Sequence, residues 1–546
     1  MAKGSCPSTG SSPWRACGGG RESGVGMAAD RHSDGVPPEG VTGADRFRVA
    51  LGGCPRRRVL RLTLDAWVRT FFGGSAMVTI LVLGLIMVFL FREGAGFLPE
   101  HHRSLTLYRR TGQEFVDAIR APLADHQALN RYLGRVRASE VEGLRAAGMG
   151  EPDVREAMAA FDEFAARFRG AGQLLRDFAD EAGGMALATR NASQAGETVD
   201  FVRGATALRA LLPQAGVVLR EFRETVEAVC AAAPAPRCDG SRRPWARFRE
   251  MVGRLGASVS GAHERAMAWD PDRRVPIGES LAAFFWGRRW VTNSEWHDRY
   301  GLLPLLGGSF CISVVAIAIA VPFSVAAAIF VSQFASAAER NIVKPAIEFI
   351  AAIPSIVLGF FGITVLGSGI QWLSQQPWMS WVPFFPVSER LNILTAGLML
   401  ALMASPTIFT LAEDALDRVP RAFAEGSLAL GATRLQTVIR MVVPAALSGI
   451  VAAILLGFGR VVGETMVVLL VAGNRLEIPD ITLGMGVLFQ PAHTMTGIIA
   501  QELGEVPRGG LHYRALFMVG VTLFALVLAI NYAAERVVRR FRPARH

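Results

Sequence analysis

Glu425-Gly426-Ser427-Leu428-Ala429-Leu430-Gly431-Ala432-Thr433-Arg434-Leu435-Gln436-Thr437-Val438-Ile439-Arg440-Met441-Val442-Val443-Pro444 is a polar, helix-forming stretch set between two long apolar segments. Pro420, just upstream, suits the first turn of a helix, where its missing N–H would be unpaired in any case. Gly431 suits the end of that helix, where a residue in the left-handed region is commonly needed. Thr433 and Gln436 have the T-x-x-Q spacing of a capping box, which opens a second helix. The stretch therefore predicts helix, sharp turn, helix, pinned between membrane spans. A plain connector would not need this punctuation.

The chain around it has 546 residues, of which 51% are hydrophobic, and a mean hydropathy of +0.32. That is too apolar for a soluble protein of this size and too charged for one wholly inside a membrane. Six stretches are long enough to cross a hydrocarbon core of about 30 Å. They are Phe71–Phe91, Leu305–Val331, Ile347–Leu366, Leu391–Leu411, Met441–Val471 and Ala515–Ala534. The fifth is long and glycine-rich, so a shorter or broken span is expected there. Arginines 56, 57, 58, 61 and 69 precede the first span, and arginines 536, 539, 540, 542 and 545 follow the last. Basic flanks mark the cytoplasmic side, so both termini are expected inside, which an even number of spans allows. Arg340 and Lys344 suit an inside loop after span two; Trp372, Trp378 and Trp381 suit an outer interfacial loop after span three.

Several function classes fall away. The sequence pI near 9.9 suggests nucleic acid, yet the charge is arginine in membrane flanks and in the long extramembrane segment, with no nucleic-acid motif beside it. Lys3 and Lys344 are the only lysines, in Ala-Lys-Gly and Val-Lys-Pro, so no G-x-x-x-x-G-K-[ST] phosphate loop exists and any ATPase must be a separate subunit. The six cysteines lack C-x-x-C spacing, and His101-His102 is the one adjacent histidine pair, so no metal site is expected. Residues 1–50 are rich in Gly, Ser, Pro and Arg and are expected to be disordered. They do not read as a signal peptide.

Residues 93–276 lie outside the cytoplasm by this topology. Val154, Met158, Phe161, Phe164 and Phe168 recur at helical steps, as Leu208, Leu211, Leu212, Leu219 and Phe222 roughly do. Four or five antiparallel helices on one apolar seam are expected, with breaks near Gly148–Pro152, Gly183-Gly184, Pro234–Pro236 and Pro271. Cys230 and Cys238 flank Ala-Ala-Ala-Pro-Ala-Pro-Arg in this segment, and an oxidising compartment favours a disulfide between them.

The fifth span carries Gly457-Phe458-Gly459-Arg460-Val461-Val462-Gly463-Glu464-Thr465-Met466. Arg460 and Glu464 are four apart, which on a continuous helix puts them on one face. A charge at mid-bilayer costs roughly 2.5–3.5 kcal/mol, so the two are expected to pair or to face a polar cavity. The glycines allow close backbone approach, and an arginine fork suits a tetrahedral oxyanion. A structural ion pair is the competing reading.

These residues resemble a known family. Glu425, followed six residues on by Gly431 and then by Met441-Val442-Val443-Pro444, resembles the EAA loop of ABC importer permeases, with Gly426-Ser427 in place of two alanines. The run Leu456 to Asn474, with its Gly-Glu-Thr-Met and Ala-Gly-Asn elements, resembles the phosphate-specific permeases of PstC/PstA type, the C-type subunit above all. Ala351-Ala352-Ile353-Pro354-Ser355 through Gly359 and Gly362 resembles that family's third span, and Tyr300 to Pro304 with Ala318 to Pro322 its second. The likeness covers 279–546 well and span one loosely, and leaves out the tail and the long insertion.

The resemblance implies an all-α membrane protein with six transmembrane helices of ABC-importer permease type and a large extracytoplasmic helical-bundle insertion between helices 1 and 2. The organisation would be a tail (1–50), a flank and first helix (51–92), the helical domain (93–276) and the permease core (277–546), with a coupling loop at about 414–444. It implies phosphate import across the bacterial cytoplasmic membrane, with Arg460 and Glu464 in the substrate pathway. Glu425, Gly431 and Pro444 would lie in the element that docks on the ATPase. Partners would be a PstA-type permease, PstB-type ATPases that use ATP and Mg, a PstS-type phosphate-binding protein and membrane lipids. The chain itself would be no enzyme and would bind no cofactor. Two alternatives stay open: a permease for molybdate, sulfate or phosphonate, and a membrane sensor using the helical domain, against which stands the short Arg-rich segment after Ala534.

Overall fold

The computed structural model describes residues 58–59, 62–194, 201–292, 294, 296–379, 381–382, 384–387 and 389–540. The expectations for residues 1–50, and for Cys6, Cys17 and Cys54, lie outside the described residues. The chain divides into two units, 1–81 and 82–546. In the first, strands β1 (Arg58–Val59) and β2 (Leu62–Thr63) pair antiparallel, Arg58 opposite Thr63. Helix α1 (Leu64–Arg110) begins there, with Trp67 and Phe71 stacked at 5.9 Å.

In the second unit α1 continues without a break. Its apolar side chains Leu83, Leu85, Ile86 and Val88 are exposed, as suits lipid. Further along, Phe89 meets Phe517 edge-on at 5.5 Å, and a Cβ at Gly94 would lie 2.8 Å from Val521, so glycine lets the last helix approach closely.

The inserted segment folds as α2 (Gln113–Ala146), α3 (Glu151–Gly170), α4 (Gln173–Gln194), α5 (Phe201–Ala210), α6 (Leu212–Ala231) and α7 (Asp239–Met267) around one apolar core. All five periodic residues of α3, from Val154 to Phe168, are buried. Phe161, Phe164 and Phe168 pack on Trp245 and Phe248 of α7 in tilted and edge-on pairs, a geometry worth roughly 0.5–1.5 kcal/mol per pair beyond area burial.

The expected breaks near Gly148–Pro152, Pro234–Pro236 and Pro271 fall between helices. That at Gly183-Gly184 does not, because α4 runs straight through it. A Cβ at Gly183 would lie 2.6 Å from Arg120 Nη2, so this glycine serves close packing and not a turn. The expected count of four or five helices becomes six among the described residues.

No disulfide joins Cys230 and Cys238, whose thiols are both free. Cys230 sits in the last turn of α6 against the core. Cys238 has its sulfur over Gly143 and 3.9 Å from the Glu140 carbonyl. Each sulfur is thus taken up by packing within the bundle.

Helix α8 (Ile277–Phe285) and a hairpin of β3 (Trp290–Val291) and β4 (Arg299–Tyr300) lead into the membrane helices. Phe97, Phe284, Trp290, Tyr300 and Leu305 form a collar core with Met495 and Leu516. Among the described residues, six helices are long and apolar enough to cross a membrane: Ala66–Arg110, Leu303–Phe334, Ser355–Ser374, Ile393–Asp417, Arg434–Gly463 and Leu511–Arg536.

The second is α9 (Leu303–Ile329) with a wider turn at Phe330–Phe334. Next comes α10 (Ala337–Ala352), opened by the capping box of Ser336 and Glu339. Span three was expected from Ile347 but starts at Ser355. Pro354 disfavours helix at the preceding residue, and Ile353 is extended (φ −72°, ψ 126°). The span is built of α11 (Ser355–Phe361), a wide turn and α12 (Ser368–Ser374). Trp372, expected in the loop after it, lies in its last turn; Trp372 and, beyond the span, Trp378 and Trp381 are exposed, as interfacial anchors would be.

Span four is α13 (Ile393–Asp417), capped by Asn392, whose side chain accepts from Thr395 N–H at 2.9 Å. Then follow α14 (Arg421–Ala429), α15 (Arg434–Thr437), α16 (Val443–Gly463), α17 (Met466–Val471), α18 (Met495–Glu502) and α19 (Leu511–Arg540).

Candidate functional site

Helix α16 ends at Gly463. Glu464 is extended (φ −71°, ψ 135°), and α17 restarts at Met466. The fifth span is therefore broken inside the apolar run, as its length and glycines suggest. A break frees backbone groups, tolerable at membrane depth only where protein or a polar cavity takes them up. Here the Glu464 carbonyl accepts from Thr496 Oγ1 at 2.8 Å, and its N–H donates to the Val461 carbonyl at 3.3 Å. Gly463, Thr465 and Thr496 line an open cavity of about 640 Å³ between this break, α18 and Leu523 of α19.

The break corrects the expectation for Arg460 and Glu464. They do not share a helix face, since Glu464 lies past the helix end, and no ion pair joins them among the described residues. Arg460 is exposed and makes no hydrogen bond or ion pair among the described residues, and Glu464 is half-buried. Leu456, Arg460 and Gly463, at steps of four and three, form one exposed face of α16, while Gly457, Val461 and Val462 are buried behind it. A Cβ at Gly457 would lie 2.4 Å from Ile408 of α13.

The glycines quoted from span three serve α17. A Cβ at Gly359 would lie 2.4 Å from Leu470, and one at Gly362 2.6 Å from Val471. The Ala-Gly-Asn element ends that helix: Gly473 has φ +87° and Asn474 φ +50°, and the Asn474 side chain donates to the Leu469 carbonyl at 2.8 Å. Gly473 is further required because a Cβ there would lie 2.6 Å from Pro491.

The loop between spans four and five has the predicted form. Gly431 has φ +85°. Its N–H donates to the Leu428 carbonyl at 3.0 Å, and Ala432 N–H donates to that of Ser427 at 3.2 Å, a complete Schellman closure. Thr433 and Gln436 form the capping box of α15, and the Ser427 and Thr437 hydroxyls lie 3.0 Å apart, tying the two helices together. Pro420 occupies the cap position, one residue before the expected first turn. Residues 438–442 widen into a π turn before Pro444, which relieves the clash of the proline ring with the carbonyl four residues back. Glu425 and Pro444 are exposed. So are Phe423, Leu428, Leu430 (91%) and Leu435, an apolar surface of the kind that marks a docking site.

Sequence reasoning passed over Glu413. It is fully buried, within 2.8 Å of both Arg340 and Lys344 of α10. The available signal was the pair Arg340 and Lys344, four apart on one face of an amphipathic helix. Thr496, which holds the break, carried no local signal.

Residues 320–543 match the family described as binding-protein-dependent transport system inner membrane component. The chain is 34% identical over 260 residues to the probable ABC transporter permease protein YqgH of Bacillus subtilis, covering 45% of this chain and 77% of that one. It is 32% identical over 267 residues to the phosphate transport system permease protein PstC of Pasteurella multocida, covering 47% and 80%. To the probable phosphate transport system permease protein PstC of Methanocaldococcus jannaschii it is 30% identical over 253 residues, covering 44% and 76%. With six spans, a capped helix-turn-helix loop and these matches, the chain belongs to the ABC-type permeases that form the inner-membrane component of binding-protein-dependent transport systems.

Proposed function

We propose that this chain is the PstC-type permease subunit of a phosphate importer. The observation that carries the substrate is the set of relatives whose names specify phosphate transport, several of them at 31–32% identity over four fifths or more of their length. The geometry agrees: an unpaired arginine on an open face of a broken span offers N–H donors that a tetrahedral oxyanion can use. A PstA-type permease would close that face, so that Arg460 meets substrate between the two halves. Glu464, at the break, would gate release.

Two PstB-type ATPases would bind and hydrolyse MgATP and engage the exposed apolar side of α14 and α15, with Glu425, Gly431 and Pro444 setting the shape of that element. A PstS-type binding protein would deliver phosphate on the opposite side, where residues 93–300 lie, with both termini in the cytoplasm. Uptake of labelled phosphate in cells relying on this importer tests the reading. Phosphate should not be displaced by molybdate, sulfate or phosphonate, and displacement by one of them would reassign the substrate. A C-terminal reporter active only outside the cytoplasm would overturn the orientation.

A further inference from the structure

Between the inserted helical domain and the β3–β4 hairpin lies a cavity of about 550 Å³ lined by six arginines and three carboxylates, within the roughly 300–1,000 Å³ range of small-ligand sites. All three carboxylates are already engaged. Asp117 accepts from the Tyr108 hydroxyl at 2.5 Å and pairs with Arg299. Glu114 accepts from Arg109 Nε at 2.7 Å, and Asp270 pairs with Arg209 at 2.8 Å. Arg265, Arg273 and Arg289 also line the cavity, and among the described residues their side chains make no hydrogen bond or ion pair. Guanidinium groups stay charged at any physiological pH, so three gather at one cavity without a paired carboxylate among the described residues.

A second observation points the same way. The Arg109 side chain is only 8% exposed at the cavity wall, fixed by Glu114 and by Glu279 at 2.5 Å, yet its buried Nη1 has no partner among the described residues. The backbone there is held too, since the Arg109 carbonyl accepts from Trp269 Nε1 at 3.1 Å. A buried donor left unmade costs roughly 1–3 kcal/mol or more when charged, and the charge of an anion in the adjoining cavity would offset part of that cost.

We propose that this cavity binds a multivalent oxyanion of phosphate type, free or as a small monoester. Ala118, Ala121 and Trp269 on the lining give an ester's organic part an apolar wall. A lipid headgroup is out of reach: Arg109 stands seventeen residues beyond Arg92 in one continuous helix, about 25 Å at 1.5 Å per residue. The site is separate from the membrane pathway and does not depend on the substrate assigned there.

The test is calorimetric titration of the full chain in phosphatidylcholine nanodiscs with inorganic phosphate and with pyrophosphate, over a chloride background. Saturable binding that weakens with salt is expected. It should be about tenfold weaker or more in Arg273→Gln/Arg289→Gln, the scale of one charge-assisted hydrogen bond; both residues are exposed, so folding should hold, as circular dichroism will check. Absence of binding at millimolar anion, equal affinity in the double variant, or binding only when anionic lipid is present would each overturn the proposal.

Discussion

Arg340 Nη2 lies 2.8 Å from Oε1 of Glu413, a carboxylate with no exposure at all, while the arginine itself keeps 39% of its side chain exposed. The pair therefore ties α10 to α13 asymmetrically, one charge fully desolvated and the other still partly in water. Lys344 takes the second oxygen of the same carboxylate at 2.8 Å.

This asymmetry predicts which partner matters more. Removing both cations strands a buried carboxylate, and breaking a buried pair in this way costs roughly 3–5 kcal/mol. Glu413→Gln removes the buried charge and leaves cations that can rehydrate, so its cost should be nearer 1 kcal/mol. Thermal unfolding in detergent should rank Arg340→Met/Lys344→Met well below Glu413→Gln. The reverse order would mean that the carboxylate is hydrated in the membrane.

Gly431→Val should abolish transport while the chain still inserts. The left-handed conformation costs a residue with Cβ roughly 1–2 kcal/mol, whereas no atom lies within 4 Å of a Cβ added there. The defect is then one of backbone shape alone, and Gly431→Asn should retain much of the activity, because asparagine tolerates this region. Phosphate uptake at matched membrane abundance reads the difference.

Arg460→Lys should fail nearly as badly as Arg460→Ala, because a point charge does not reproduce the planar fork. Glu464→Gln should impair release or coupling more than abundance. Since no ion pair links the two, Arg460→Ala/Glu464→Ala should stay inactive. Substantial recovery of uptake in that double variant would show a structural pair that forms in the assembled transporter.

His126 makes the helical domain acid-sensitive. Its ring is fully buried, with Nε2–H donating to the Phe168 carbonyl at 2.8 Å and Asn130 3.3 Å from Nδ1. Burial, against the backbone bond, holds the imidazole below its ordinary value of 6.5. The folded chain thus binds fewer protons than the unfolded one below that value, so stability is complete above it and falls as pH drops through and below it. Unfolding followed by tryptophan fluorescence should show the loss setting in as pH falls below the ordinary histidine value of 6.5, with a shallower slope in His126→Gln.

The sequence by itself determined whatever is written within a few neighbouring residues. Thr433 and Gln436 meet across three positions, Gly431 answers to its own φ, the five apolar residues of α3 share one face, and the spans follow from uninterrupted hydrophobicity. Tertiary structure decided what needs atoms from distant segments. Gly183 looked like a break and is a contact for Arg120. Arg460 and Glu464 looked like one helical face until the chain turned after Gly463, where Thr496, thirty-two residues past Glu464, holds the Glu464 carbonyl. The sulfurs of Cys230 and Cys238 went to packing within the bundle. Glu413 met Arg340 from seventy-three residues away, and Arg109, Arg265, Arg273 and Arg289 gathered around one cavity. Periodicity records which face of a helix is apolar. Which charged groups that burial brings together is settled only when the helices dock, because the partners carry no fixed spacing along the chain.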